Sequence, residues 1–275
     1  MIRSLYAGVS GMRNQQVSMD VIGNNISNAS TYGFKAGRAC FKDLFSQHLK
    51  YATGTDNPPY IYPSQVGTGV TIGTVQNLFS QGGMQVTSRV LDLAIEGNGF
   101  FMLKDPATNN ISYTRDGNFT LDKEGYLTSM DGYRVLDASG AEIPALDIAA
   151  GQQVISIGTD GAISVLNSDG TTSTLGTIGI ANIINPESLE KCGNNSYIPT
   201  ITTGGFTNFT TPINPGAPGG TGGQGKIQSG YLEMSNVDLT NEFANLITTQ
   251  RGYQANARII TTSDEMLQNV IDLKR

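Results

Sequence analysis

Hydrophobic and polar residues alternate with two different periods along this chain. Near the C-terminus, steps of four and three pick out Leu239, Phe243, Leu246, Gln250, Tyr253, Ala257, Ile260, Asp264, Leu267 and Ile271. Most of these positions carry carbon to bury, and the residues between them are largely polar. Such a heptad row predicts a long helix over 237–275 that packs lengthwise on others. Ser235, Asn236 and Asp238 precede it as N-cap candidates. The same stepping over Ile2, Leu5, Val9, Met12, Gln16, Met19, Gly23 and Ile26 predicts an N-terminal helix within 1–30. It should end near Asn28, where Asn, Ser, Thr and Gly replace the apolar period. Gln16 and Gln250 are polar members of the two rows, of the kind that specifies register, whereas Gly252 lies off the predicted row.

Between the helices the pattern changes. Residues 31–69 read as a connecting segment, in which Phe41, Leu44, Phe45 and Leu49 have the spacing of a short amphipathic helix. Pro58, Pro59 and Pro63 mark a loop over 53–69. From Val70 onward the period is two. Leu91, Leu93 and Ile95 alternate with Asp92, Ala94 and Glu96, which predicts one buried and one solvated strand face. Gly97-Asn98-Gly99 and the Asp-Gly pairs at 116–117, 131–132, 160–161 and 169–170 predict hairpin turns. Residues 70–225 are therefore expected to form a central all-β antiparallel domain, with 226–236 as the return linker. The expected class is α+β, the two terminal helices forming a coiled-coil-like domain. Two helices alone bury only part of each apolar row, so further copies are expected to cover the remainder.

Composition narrows the function. Charged residues are 15% of the 275, against about 25% in typical soluble proteins, and the net charge is -6. Without clustered Lys and Arg, nucleic acid is not an expected partner. No stretch approaches the ~18 apolar residues of a membrane span, and the first residues lack the apolar core of a cleaved signal peptide. The expectation is a chain that stays inside the cell or leaves it by a route needing no cleavage. His48 is the single histidine, which rules out a histidine metal cluster or a Ser-His-Asp triad within one chain. Cys40 and Cys192 are expected as two separate buried thiols. No enzyme, cofactor or metal is expected.

The segment Gly23-Asn24-Asn25-Ile26-Ser27-Asn28-Ala29-Ser30-Thr31-Tyr32-Gly33-Phe34-Lys35 resembles the signature that follows the first helix in bacterial flagellar rod and hook proteins. Two later blocks resemble the same family. One runs Asp92–Phe101 with Tyr113-Thr114-Arg115-Asp116-Gly117-Asn118-Phe119, and the other Gly230–Leu239 with Gln250–Gln254 and Thr261–Gln268. Within the family the chain is most similar to the short form of the hook protein, with the distal rod protein as the close alternative. The resemblance implies a structural subunit exported by the flagellar type III apparatus without signal cleavage. It would polymerise into a helical tube in the hook or basal body and act as a flexible joint between rod and filament. Implied partners are copies of itself, the adjacent rod, hook-cap and hook–filament junction proteins, and the export apparatus. A trimeric surface-binding module is the remote alternative.

The expected assembly interface comprises Leu5, Val9, Met12, Met19 and Ile26 on the first helix, and Leu239, Phe243, Leu246, Gln250, Tyr253, Ile260, Leu267 and Ile271 on the last. Asn24, Asn25, Asn28, Gly33, Phe34 and Lys35 join it from the signature segment. There the Asn side chains are suited to capping backbone groups and Phe34 to plugging a neighbouring surface; a plain helix end with a turn is the alternative.

Overall fold

The computed structural model describes residues 2–51, 62–147, 151–220 and 223–273. The chain divides into two compact units. One gathers 1–27, 37–78 and 238–275; the other consists of 28–36 and 79–237.

Among the described residues, the helical unit contains α1 (Ile2–Ser27), four strands and α2 (Leu239–Asp272). At 1.5 Å per residue α2 is about 50 Å long. Asp238 caps it, its carboxylate accepting from the Thr240 and Asn241 amides at 2.9 and 3.4 Å. Strands β1 (Gly37–Asp43) and β4 (Val70–Asn77) pair antiparallel, with a bulge between Cys40 and Phe41. Strands β2 (Ser46–Lys50) and β3 (Ser64–Gly67) continue the same two chain segments as a second antiparallel pair. The amphipathic helix expected around Phe41–Leu49 is therefore a strand pair. Its apolar spacing fitted one helical face, but Val66, Val70, Ile72 and Val75 lie on partner strands that satisfy its backbone, and short apolar runs do not tell helix from strand. Most of the predicted Pro-rich loop, including Pro58 and Pro59, lies outside the described residues.

The heptad stepping of both helices is correct, but the row that joins them lies one residue away from the predicted one. On α1 the inward row is Ser4, Gly8, Gly11, Gln15, Ser18, Ile22 and Asn25; on α2 the polar inward positions are Glu242, Thr249, Asn256 and Ser263. The helices run antiparallel. A Cβ on Gly8 would lie 3.3 Å from Ile260, one on Gly11 2.6 Å from the Asn256 amide, and one on Gly252 3.0 Å from Gln15. Gly252 is thus on the contact row, contrary to the sequence pattern. Small residues let the two backbones approach, which a row of Leu and Met cannot do. Leu246, Ile260 and Leu267 belong to both rows and are half-buried.

The β unit holds the remaining strands. They are β5 (Met84–Val86), β6 (Leu93–Glu96), β7 (Phe100–Lys104), β8 (Ile111–Thr114), β9 (Phe119–Leu121), β10 (Leu127–Ser129) and β11 (Arg134–Val135). After them come β12 (Gln153–Ile157), β13 (Ala162–Leu166), β14 (Thr172–Thr177), β15 (Ile180–Ala181) and β16 (Glu190–Gly193). The last are β17 (Ser196–Ile198), β18 (Pro215–Gly216), β19 (Lys226–Ser229) and β20 (Tyr231–Glu233). The largest sheet has the order β16-β17-β8-β7-β11-β10-β9, with β15 also on β7 and β18 on β15; β12-β13-β14 form a second sheet, and β6 pairs β19 while β5 pairs β20. Every pairing is antiparallel.

Strand β7 is central because both of its faces are apolar. Phe101 and Leu103 enter one cluster with Leu93, Ile95, Phe119 and Ile178, while Phe100 and Met102 enter a second with Tyr113, Leu136 and Tyr197. Three Asp-Gly pairs turn hairpins as predicted, with Gly132, Gly161 and Gly170 at positive φ. Two predictions fail. Gly97–Gly99 joins β6 to β7, which lie in different sheets, and Asp116-Gly117 joins β8 to β9, which do not pair. The solvated face expected beside Leu93 and Ile95 is also closed: Asp92 and Ala94 are buried, and only Glu96 is exposed. Nor are the thiols buried; Cys40 is half-buried and Cys192 exposed.

The phenols of this core make it alkali-sensitive. Burial pushes Tyr113 up to about 12, and it drives Tyr197 upward as well. A phenol whose value is raised in the folded state stabilises below the unfolded value near 10 and loses that contribution as pH rises beyond it. Two pH units correspond to about 3 kcal/mol for Tyr113. The same burial lowers Lys35 and Arg115, whose contribution has the opposite sign. Phenolate absorbance during an alkaline titration is expected to show late tyrosines that ionise only together with unfolding.

Candidate functional site

The surfaces available for assembly follow from that displaced seam. Because α1 and α2 meet through small and polar residues, the apolar rows lie beside the contact. Leu5, Val9, Met12, Met19 and Ile26 are half-buried. On α2, Phe243 and Ile247 are 49% and 50% exposed, and Leu239, Tyr253, Ile259, Met266, Val270 and Ile271 are exposed too. Gln250 is exposed, as is Asp264, so neither polar member of the predicted row is buried in the helix contact.

The strand ribbon is a second exposed apolar surface. Phe45 is 93% exposed, and Phe41, Leu44, Leu49, Val66 and Val75 are exposed around it. Two-stranded ribbons are marginal alone, and this one is held on α1 by two asparagines. Asn14 donates to the Val70 carbonyl at 2.7 Å. Asn25 donates to the Gly37 carbonyl at 2.8 Å and accepts the Gly37 amide at 2.9 Å, copying one rung of a strand ladder. It also donates to Glu242 on α2 at 3.3 Å. Asn25 therefore serves the internal fold of the helical unit. Asn25→Ala is expected to cost about 1–3 kcal/mol, since it removes these bonds and leaves the half-buried Gly37 amide and carbonyl without them. Thermal melts of the full chain followed by far-ultraviolet circular dichroism check this.

Residues 28–35 of the signature segment lie within the β unit, and Phe34 and Lys35 face inward there. Phe34 is buried beneath the Lys191 ammonium, 4.7 Å from the ring centre. Lys35 has no exposed side-chain surface and donates to Glu233 at 2.6 Å and to the Ser80 carbonyl at 2.8 Å. Arg115 reaches the other Glu233 oxygen at 3.2 Å and the Gly97 carbonyl at 2.9 Å. Gly33 sits at φ +66, where a Cβ would lie 2.6 Å from the Asp116 amide nitrogen. Asn28 is half-buried and Asn24 exposed. Phe34 and Lys35 thus have intramolecular roles as placed here, rather than forming an outward plug.

Glu233 and Arg115 escaped the sequence reading as functional positions, although both stand inside the blocks that carry the resemblance. Lys35, Arg115 and Glu233 come from three separate blocks and meet at one point. Their spacing in sequence carries no signal of this; only the folded β unit brings them together.

Among the described residues, no group of three His, Cys, Asp or Glu side chains is placed to hold a metal, and no helix is long and apolar enough to cross a membrane. His48 is exposed and stacks on Tyr51.

Comparison with known proteins is decisive at this point. Residues 5–35 match the flagella basal body rod protein model, residues 94–165 the D1 domain of flagellar hook protein FlgE/F/G, and residues 228–273 the C-terminal model of flagellar basal body rod FlgEFG protein. The flagellar basal-body rod protein FlgG of Bacillus subtilis is 43% identical over 282 residues, with all of both chains covered. The chain belongs to the flagellar rod and hook family. FlgG of Borreliella burgdorferi is 38% identical, again with all of both chains covered. The flagellar hook protein FlgE of the same organism is 27% identical over 451 residues, covering all of both chains. These relatives are structural proteins, so the family is not one of enzymes. The three matched segments contain Lys35, Arg115 and Glu233, one in each.

Proposed function

We propose that this protein is the distal rod subunit of the bacterial flagellum, polymerising into a helical tube in the basal body. The observation that carries this reading is end-to-end similarity to rod proteins at 38–43% identity, against 27% to a hook protein whose alignment runs over 451 positions. The hook assignment favoured by the sequence alone gives way to the rod for this reason. The exposed apolar positions of α2, the half-buried apolar row of α1 and the exposed strand ribbon are the contacts between copies, supported by the apolar surface they leave open among the described residues. Open helical assembly needs one surface to meet a different one on the next copy, and a helix row and a ribbon are two such surfaces. Its further partners are the neighbouring rod and hook proteins and the type III export apparatus, which passes it without signal cleavage.

Deletion of the gene tests the rod reading against the hook reading. Electron microscopy of purified basal bodies is expected to show rods truncated at their distal end and lacking hooks. Complete distal rods without hooks would return the protein to the hook.

A further inference from the structure

The Lys35–Glu233–Arg115 cluster stands where the chain passes between its units. Passages occur at 27/28, 36/37, 78/79 and 237/238. The β-unit residues beside them are tied to one another. Besides its bonds to Lys35 and Arg115, Glu233 accepts the Gly82 amide at 2.9 Å through its side chain and the Gly33 amide at 2.8 Å through its carbonyl. Asn236 accepts the Ala36 amide at 2.8 Å and donates to the Ser80 hydroxyl at 3.0 Å. The Met234 amide donates to the Gly83 carbonyl at 2.8 Å.

These connections are polar and lie outside the two apolar clusters, apart from Arg115, whose guanidinium lies 5.2 Å from the Phe100 ring centre. Neither core cluster includes a residue from 28–36, 80–86 or 230–236. Segment 28–36 contributes no strand, and β5 and β20 pair only with each other. The segment is held by Gly33, by the cluster, by the Asn195 amide donating to the Tyr32 carbonyl at 2.7 Å, and by Lys191 donating to the Lys35 carbonyl at 3.1 Å.

We propose that residues 28–36 are a latched strap, seating on the β unit and leaving it as one two-state element together with 80–83 and 230–236, while both apolar clusters stay folded. The physical reason is that a buried charge tolerates the loss of its partner poorly. If Lys35 withdraws, Glu233 keeps only Arg115 and the Gly82 amide; if Glu233 withdraws, two cations remain buried together. The pieces are therefore favoured as a set, and by linkage each stabilises the others equally. The consequence is that the early passage near residue 36 and the late passage near residue 237 are made conditional on each other. A chain whose segment 230–236 has not yet seated does not retain 28–36.

Native-state hydrogen exchange on the full-length monomer, read by mass spectrometry at low denaturant, tests this. In the unaltered protein, peptides covering 28–36, 80–83 and 230–236 are expected to exchange in step, at least tenfold faster than those covering Phe100–Leu103 and Ile163–Val165. Segments exchanging at unrelated rates, or in step with the core, would overturn the proposal. Gly33→Ala releases the strap sterically without touching a charge. It is expected to speed exchange at all three segments by a similar factor, and acceleration confined to 28–36 would refute the coupling. Glu233→Gln should do the same from the opposite end. Should that variant fail to fold, the unaltered protein and Gly33→Ala still decide the matter.

Discussion

Phe243→Asp is expected to abolish tube formation while leaving the monomer's helices and β unit intact. Phe243 lies one residue beyond the contact position Glu242 and is half exposed, so a carboxylate there meets water in the monomer. In a bundle the same carboxylate would be desolvated against apolar neighbours, at a cost of several kcal/mol for each interface. Each subunit in a polymer repeats the penalty. Leu246→Asp makes the informative contrast. Leu246 is half-buried within the helical unit, so its replacement should weaken the α1–α2 pair as well as assembly. Electron microscopy under assembly conditions, beside circular dichroism of the monomers, separates the two variants. Normal tubes from Phe243→Asp would show that the exposed row is not an assembly surface.

The largest effect on monomer stability is expected from Glu233→Ala. It leaves Lys35 and Arg115 buried with no carboxylate between them, a loss of about 3–5 kcal/mol for this class of buried pair. Because a net stability of 5–15 kcal/mol is typical, that is a large share of the total. Lys35→Met should cost much less, since it fills similar volume and leaves the Arg115–Glu233 pair intact. Replacing all three residues by apolar ones of similar size should restore most of the stability, as apolar packing can substitute for a buried ion cluster. Urea denaturation followed by tyrosine fluorescence gives the ranking. A triple variant no more stable than Glu233→Ala would mean that the charges supply more than their mutual compensation.

Much of this architecture is legible in the sequence because it rests on local periodicity. Two helices with heptad stepping, an Asp238 cap, and hairpins at Asp131-Gly132, Asp160-Gly161 and Asp169-Gly170 all follow from side-chain period and turn chemistry. The short ribbon segments around Phe41 and Leu49 do not, because their partner strand lies beyond a loop and their own spacing suits either structure.

Side-chain period is enough to establish two long helices whose apolar rows exceed what a helix pair can cover, with an antiparallel β region between them. Which row does what is set by packing. A heptad repeats identically on adjacent rows, so periodicity does not distinguish Phe243 from Glu242; the close approach allowed by Gly8, Gly11 and Gly252 does, and it turns the apolar row outward. The same holds for Lys35. The sequence placed it in an assembly interface, and its burial inside the β unit is favourable only because a carboxylate from nearly two hundred positions along the chain arrives beside it.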